Sequence, residues 1–104
     1  MNIKDWVMEN ISPSERKEVL EYGCVNGCVP ELIYYRDTCA FYDSHVEEIW
    51  DMLDETADAA GQTIMELVAS FRGHIGSNDQ FKNALTWWAV EETCYQLQAK
   101  EDAA

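Results

Sequence analysis

Cys24 and Cys28 stand in a C-x3-C spacing, and Cys39, Cys94, His45 and His74 add further groups able to bind a soft or borderline metal. Four of these could close a tetrahedral zinc site, and the Cys24–Cys28 pair alone could run thiol–disulfide chemistry. The pattern falls short of a zinc module, because the remaining ligands form neither a compact C-x-x-C nor an H-x3-H. Cys39 and Cys94 lie on helical stretches beside aromatic residues, where a free cysteine is most often a small buried hydrophobe. The sequence therefore leads us to expect no metal and no cofactor, with zinc or redox use of Cys24 and Cys28 kept as the third-ranked reading. Catalytic signatures are missing as well. There is no G-x-S-x-G, H-E-x-x-H, P-loop or G-x-G-x-x-G, and no calcium loop of the form D-x-[DN]-x-[DN]-G-x5-E. Both histidines are isolated: His45 sits opposite the apolar arc of its helix and is expected in solvent, and His74 lies in the break "RGHIGSND". Acid neighbours such as Asp54 and Glu55 point into water, where a carboxylate makes a poor general acid. No enzyme is expected.

The chemistry left over is charge. From Asp43 to Asp58 the chain places seven carboxylates in sixteen positions: Asp43, Glu47, Glu48, Asp51, Asp54, Glu55 and Asp58. No Lys or Arg falls between Arg36 and Arg72. On a helical wheel at about 100° per residue, Val46, Trp50, Leu53 and Ala57 share a narrow apolar arc, with Ile49 and Ala60 at its edge. Asp43, Glu47, Asp51, Asp54 and Asp58 fall together on the adjacent face, flanked by Glu48 and Glu55. Exposed helix faces usually mix signs, since i,i+4 pairs of like charge cost about as much as opposite pairs gain. Over the roughly 22 Å that such a helix rises, seven acids give about one charge per 3–4 Å, close to the phosphate density of one DNA strand, about one per 3.4 Å. A basic nucleic-acid groove could accept this face as a decoy through charge-assisted pairs. The plainer reading is a solvated helix face.

The elements that must position this face can be read from caps and stops. Ser12, Pro13 and Glu15 make an S-x-x-E capping box with proline at the first helical position, and Gly23 stops that helix. "CVNGCVP" is a turn around Asn26-Gly27, and Pro30 opens a helix through "ELIYYR". Asp37 or Asp43 caps the acidic helix, which runs to about Ala60 before Gly61. Thr63 and Glu66 form a second capping box that leads "IMELVASFR" to Gly73. Ser77, with Gln80 three residues on, opens a long helix to about Ala99. In that helix Phe81, Ala84, Leu85, Trp88 and Tyr95 form one apolar stripe, and Trp87, Val90, Cys94 and Leu97 form another nearly opposite. A helix apolar on two sides is central. Glu91 and Glu92 lie in or beside the first stripe, either at its wet edge or partly buried with a partner. No stretch has sustained period-2 alternation. The expected fold is all-α: one compact bundle of about five helices, with a long aromatic-rich C-terminal helix, over residues 1–104.

Bulk properties agree. With 104 residues the chain suits one domain, and 47% hydrophobic with 12% aromatic content excludes an acidic disordered tail. Seven Lys+Arg against twenty Asp+Glu give a formal charge of −13, beyond the magnitude of about 2–8 that keeps a small domain dissolved. Such a surface repels nucleic acid and anionic membranes and attracts basic protein surfaces. The start "MNIKDWVMEN" has neither the basic nor the long apolar segment of a signal peptide. No run approaches the roughly 20 apolar residues of a membrane span. Reduced thiols in a cytoplasm are the expectation.

"ELIYYRDTCAFYDSHVEEIWDML" and "ELVASFRGHIGSNDQFKNALTWWAVEETCYQL" resemble a small family of phage and prophage proteins of uncharacterised function. The shared features are Tyr34-Tyr35, the D-T-x-x-F-Y-D run from Asp37 to Asp43, Glu48-Ile49-Trp50, the D-Q-F-K-N run from Asp79 to Asn83, and Val90-Glu91-Glu92. The similarity covers residues 31 to 97, and the cysteines are no part of it. The resemblance implies a mobile-element origin and action in the cytoplasm of a bacterial host. It also brings in inhibitors of bacterial defence, including anti-CRISPR and anti-restriction proteins, several of which mimic DNA. Together with the charge pattern, it makes a non-enzymatic defence inhibitor the leading expectation. Its partner would be the basic nucleic-acid-binding surface of a bacterial protein or ribonucleoprotein, with no direct binding of nucleic acid and none of membrane. The alternative is an accessory interaction module, or a homodimer, working through exposed rings among Tyr34, Tyr35, Trp87 and Tyr95.

Overall fold

Helix starts are set by side chains that satisfy the first unpaired backbone N–H groups. Asn2 accepts from the Asp5 N–H at 2.8 Å and starts α1 (Ile3–Asn10). Ser12 and Glu15 exchange the two bonds of the expected capping box, at 3.3 and 3.0 Å, around the start of α2 (Pro13–Tyr22). The computed structural model describes residues 1–22, 29–71 and 76–103. The stops expected at Gly23 and Gly73, the Asn26-Gly27 turn, Cys24, Cys28 and His74 lie outside these.

Pro30 opens only a 3-10 turn, Pro30–Leu32, and not a helix through Arg36. Tyr34 is extended (φ −106°, ψ 155°) and α3 begins after it, spanning Tyr35–Ala59. Asp37 therefore sits three residues into α3, where its carboxylate accepts from the Tyr34 N–H at 3.3 Å. α3 ends in a Schellman arrangement: Gln62 N–H donates to Ala57 O at 2.9 Å and Gly61 N–H to Asp58 O at 3.1 Å. The closing residue, Gly61, adopts φ 68°, a left-handed value natural to glycine. Thr63 and Glu66 form the expected reciprocal cap, both bonds at 3.1 Å. α4 (Ile64–Ala69) is shorter than expected. Its chain turns where the Ser70 hydroxyl donates back to Leu67 O at 2.6 Å, competing with further helix. Ser77 caps α5 (Asn78–Ala103) through the Gln80 N–H at 3.2 Å, and Gln80 accepts in turn from Gly76 N–H at 2.8 Å.

The fold is all-α, five α-helices among the described residues, and α5 is its axle: α1, α2 and α3 all pack on it. Leu85, Ala89, Val90 and Cys94 of α5 are fully buried, against Ile3, Val7 and Ile11 of the α1 segment, Val19 of α2, and Ile49 and Leu53 of α3. Trp87 is buried as its stripe predicts, but Tyr95 is 61% exposed. α5 is apolar on two sides only over its first half. Both inward threonines have partners close by: Thr86 donates to Thr38 O at 2.9 Å, binding α5 to α3, and Thr93 to Ala89 O at 2.8 Å. Arg16 is 5% exposed. It donates to Glu101 at 2.6 Å and to Ile11 O at 3.3 Å, fastening α2 to the far end of α5.

α3 bends at His45, whose backbone (φ −127°, ψ 19°) leaves the helical region. The imidazole Nδ1 lies 2.8 Å from Phe41 O, one turn back, and the ring stacks on Phe41 at 4.2 Å. A side chain inserted into the i→i−4 ladder is a recognised cause of kinks. The bend corrects two expectations. His45 is half-buried instead of standing in solvent, and the inner line of α3 runs through Phe41, Ile49, Leu53 and Ala57. Val46 and Trp50 are half-buried and Ala60 is exposed, so the apolar arc is rotated towards Ile49. The Trp50 indole N–H donates to Tyr42 OH at 2.9 Å, which suits its place at the edge of the core.

Candidate partner-binding face

The seven acids divide into three groups once the neighbours of α3 are in place. Asp43 is exposed but accepts from Lys82 Nζ of α5 at 2.8 Å, with the ammonium 5.8 Å from the centre of the Tyr42 ring. This hydrogen bond is the main reason that the Lys82 pKa is raised. Glu48 is half-buried and accepts from the Ile3 N–H at 2.8 Å, so it caps α1 from across the bundle. It also lines, with Glu55, Lys4 and Lys100, a cleft of about 310 Å³ floored by Met52 and Leu97. Glu55 is exposed, but its flank is of mixed sign.

Glu47, Asp51, Asp54 and Asp58 form the remaining group. All four are exposed, and no ion pair or side-chain hydrogen bond reaches them among the described residues. Their i, i+4, i+7, i+11 spacing puts them in one row over roughly 16 Å of helix. The row begins beside a shallow depression of about 520 Å³ lined by Met1, Asp43, His45, Glu47 and Asp51, just where the chain bends. The last turn of α3 holds no basic residue, so Asp58 faces the negative end of the helix dipole with nothing to offset it.

Glu48 and its exposed neighbours should respond differently to truncation. Glu48→Ala should cost about 1 kcal/mol, the usual worth of a lost helix cap. Asp54→Ala should change stability by less than about 0.5 kcal/mol. Urea denaturation of the two variants checks this, and equal losses would mean that Glu48 has no structural part.

The thiols within the described residues are not poised for reaction. Cys94 is fully buried, and burial pushes its pKa up to about 12 although the Arg16 charge opposes this. Cys39 is half-buried with Sγ 3.7 Å from Asp79 Oδ1, and burial first, then that carboxylate, raises its pKa too. A raised pKa means less thiolate, the reactive form. Among the described residues no three His, Cys, Asp or Glu side chains are grouped to hold a metal, and no helix is long and apolar enough to cross a membrane. Of the rings named for an aromatic contact surface, Tyr34, Tyr35 and Tyr95 are exposed and Trp87 is buried.

All seven acids were legible in the sequence, but not that Asp43 and Glu48 are anchored to other helices. Lys82 is 39 positions from Asp43 and Ile3 is 45 from Glu48, and no local pattern signals either contact.

Fold and face together define a small, acidic, all-α protein built on a central C-terminal helix. The chain belongs to the DUF7222 family, a domain of unknown function whose family model matches residues 2–103. No curated protein and no solved structure matches it.

Proposed function

We propose that this protein is a phage-encoded, non-enzymatic inhibitor of a bacterial defence system, anti-CRISPR-like in its action. In this reading the α3 face acts in the host cytoplasm as a DNA mimic and occupies the basic nucleic-acid-binding surface of an effector. The observation that carries the reading is the exposed, one-signed row Glu47–Asp51–Asp54–Asp58, held on a helix whose other side is locked into the core. Asp43, Glu48 and Glu55 border the row, with their charge partly offset by Lys82, Lys4 and Lys100. The formal charge of −13 supports it, since like-charged nucleic acid is repelled while a basic groove is drawn in at rates that fall with salt. The phage origin rests on the sequence resemblance.

The test is a pull-down from bacterial lysate with this protein as bait, eluted by a salt step. Release of a nucleic-acid-binding complex at moderate salt is the expected result. Retention of the bound proteins through high salt would overturn the reading. It would favour the second one, a contact through exposed rings, for which the observation is that Tyr34 and Tyr95 are 59% and 61% exposed. Burial of apolar area is not screened by ions, so the salt response separates the two.

A further inference from the structure

The α4–α5 end of the molecule holds a cavity that the acidic row does not touch. Its volume is about 240 Å³, and Leu67, Phe71, Trp87 and Trp88 supply its apolar lining. The Phe71 and Trp88 rings stack on each other, their planes 15° apart and their centroids separated by 5.5 Å, so that a further ring can meet only an outer face of the pair. Three polar side chains also reach the cavity: Ser70, Asn83 and Glu91. The Ser70 hydroxyl is spent on Leu67 O, and Glu91 is engaged within the chain. The Asn83 amide makes no hydrogen bond among the described residues. An amide offers a donor and an acceptor side by side.

We propose that this cavity binds a neutral, flat nitrogen heterocycle of one or two rings, its face extending the Phe71–Trp88 stack and its donor–acceptor edge on the Asn83 amide. Size sets the ring count: a cavity of about 150 Å³ accepts benzene, and larger ligands use pockets of about 300–1,000 Å³. Shape follows from the stacked pair, since ring stacking rewards flat partners. The edge follows from Asn83, because an asparagine amide pairs bidentately with adjacent ring donors and acceptors, as it does with adenine. Neutrality follows from two observations: the charge of −13 disfavours phosphate or carboxylate on the ligand, and the acid in the lining, Glu91, is already engaged within the chain instead of waiting for a cation. The site lies on α4 and α5, so it is independent of the partner proposed for α3.

Adenine, cytosine and nicotinamide are titrated into ¹⁵N-labelled protein while the Asn83 side-chain amide resonances are followed. Indole serves as a flat probe without an amide-like edge, and adenosine monophosphate as the charged one. At least one neutral heterocycle should shift the Asn83 signals saturably, with indole and the monophosphate each at least about tenfold weaker. Asn83→Ala should weaken the bound heterocycle roughly tenfold, the worth of two hydrogen bonds, with the helical circular dichroism unchanged. Binding in that variant is read from the Trp88 indole signal. Absence of saturation with all three heterocycles at about 5 mM, indole binding as tightly, or full affinity in Asn83→Ala would each overturn the proposal.

Discussion

Replacing Asp51 and Asp58 together by lysine should abolish capture of a basic partner while leaving a fold at least as stable as the parent. Each substitution reverses one charge of the exposed row, so the protein's formal charge of −13 rises by four. Truncating one member of a buried interfacial charge pair costs about 2–5 kcal/mol, and reversal adds repulsion to that loss. Two reversals should therefore weaken binding by at least about a hundredfold. The fold should gain. A lysine at position 51 faces Glu47 and Glu55 at i−4 and i+4, and one at 58 faces Asp54 at i−4. Like-charge pairs thus become opposite pairs worth about 0.2–0.5 kcal/mol each, and the second lysine meets the negative end of the helix dipole. Melting the variant beside the parent and repeating the pull-down checks both halves. Undiminished capture by the double variant, folded as expected, would remove the row from the function.

The core prediction is as large and needs no partner. Leu85 is fully buried in the central helix, so Leu85→Ala should cost about 2–5 kcal/mol through lost transfer energy and an unfilled cavity. A domain of this size holds only about 5–15 kcal/mol in total. The melting temperature should therefore drop by roughly 10–30 °C. Tyr95→Ala on the same helix should cost less than about 0.5 kcal/mol, because that ring is 61% exposed. Thermal unfolding followed at 222 nm decides between this and the two-stripe pattern of the sequence, which would rank the two alike.

That contrast marks what could be read from the residues alone. Caps were legible because a capping box is a contact across three residues: Ser12 with Glu15 and Thr63 with Glu66 stand where the sequence puts them. The centrality of α5 was legible too, since two buried stripes need neighbours on both sides. Pro30 misled because proline favours the first turn of a helix without ensuring a second, and the extended Tyr34 stops the continuation. His45 misled because a wheel presumes an unbroken helix, and the ring's contact with Phe41 O breaks it. The acidic row was visible as a period, but which acids are spent on the fold was not. The partners of Asp43 and Glu48 come from other helices, and the buried Arg16 finds its carboxylate in Glu101, 85 positions away.

The central place of α5 also sets the order in which the chain can fold. Its residues, 78–103, are made after those of α1, α2 and α3, the three helices that pack on it. Until they leave the ribosome, α1 and α3 have only contacts such as Trp6 on Phe41, and the apolar faces carrying Ile3, Val7, Val19 and Ile49 lack Leu85, Ala89 and Val90 of α5. The long-range closures that involve α5, such as Arg16 to Glu101 across 85 positions, come at the end and carry the entropy cost of distant contacts. Completion of the core thus waits until α5 has been made, and during that interval mutual repulsion among the α3 carboxylates helps to keep incomplete chains apart.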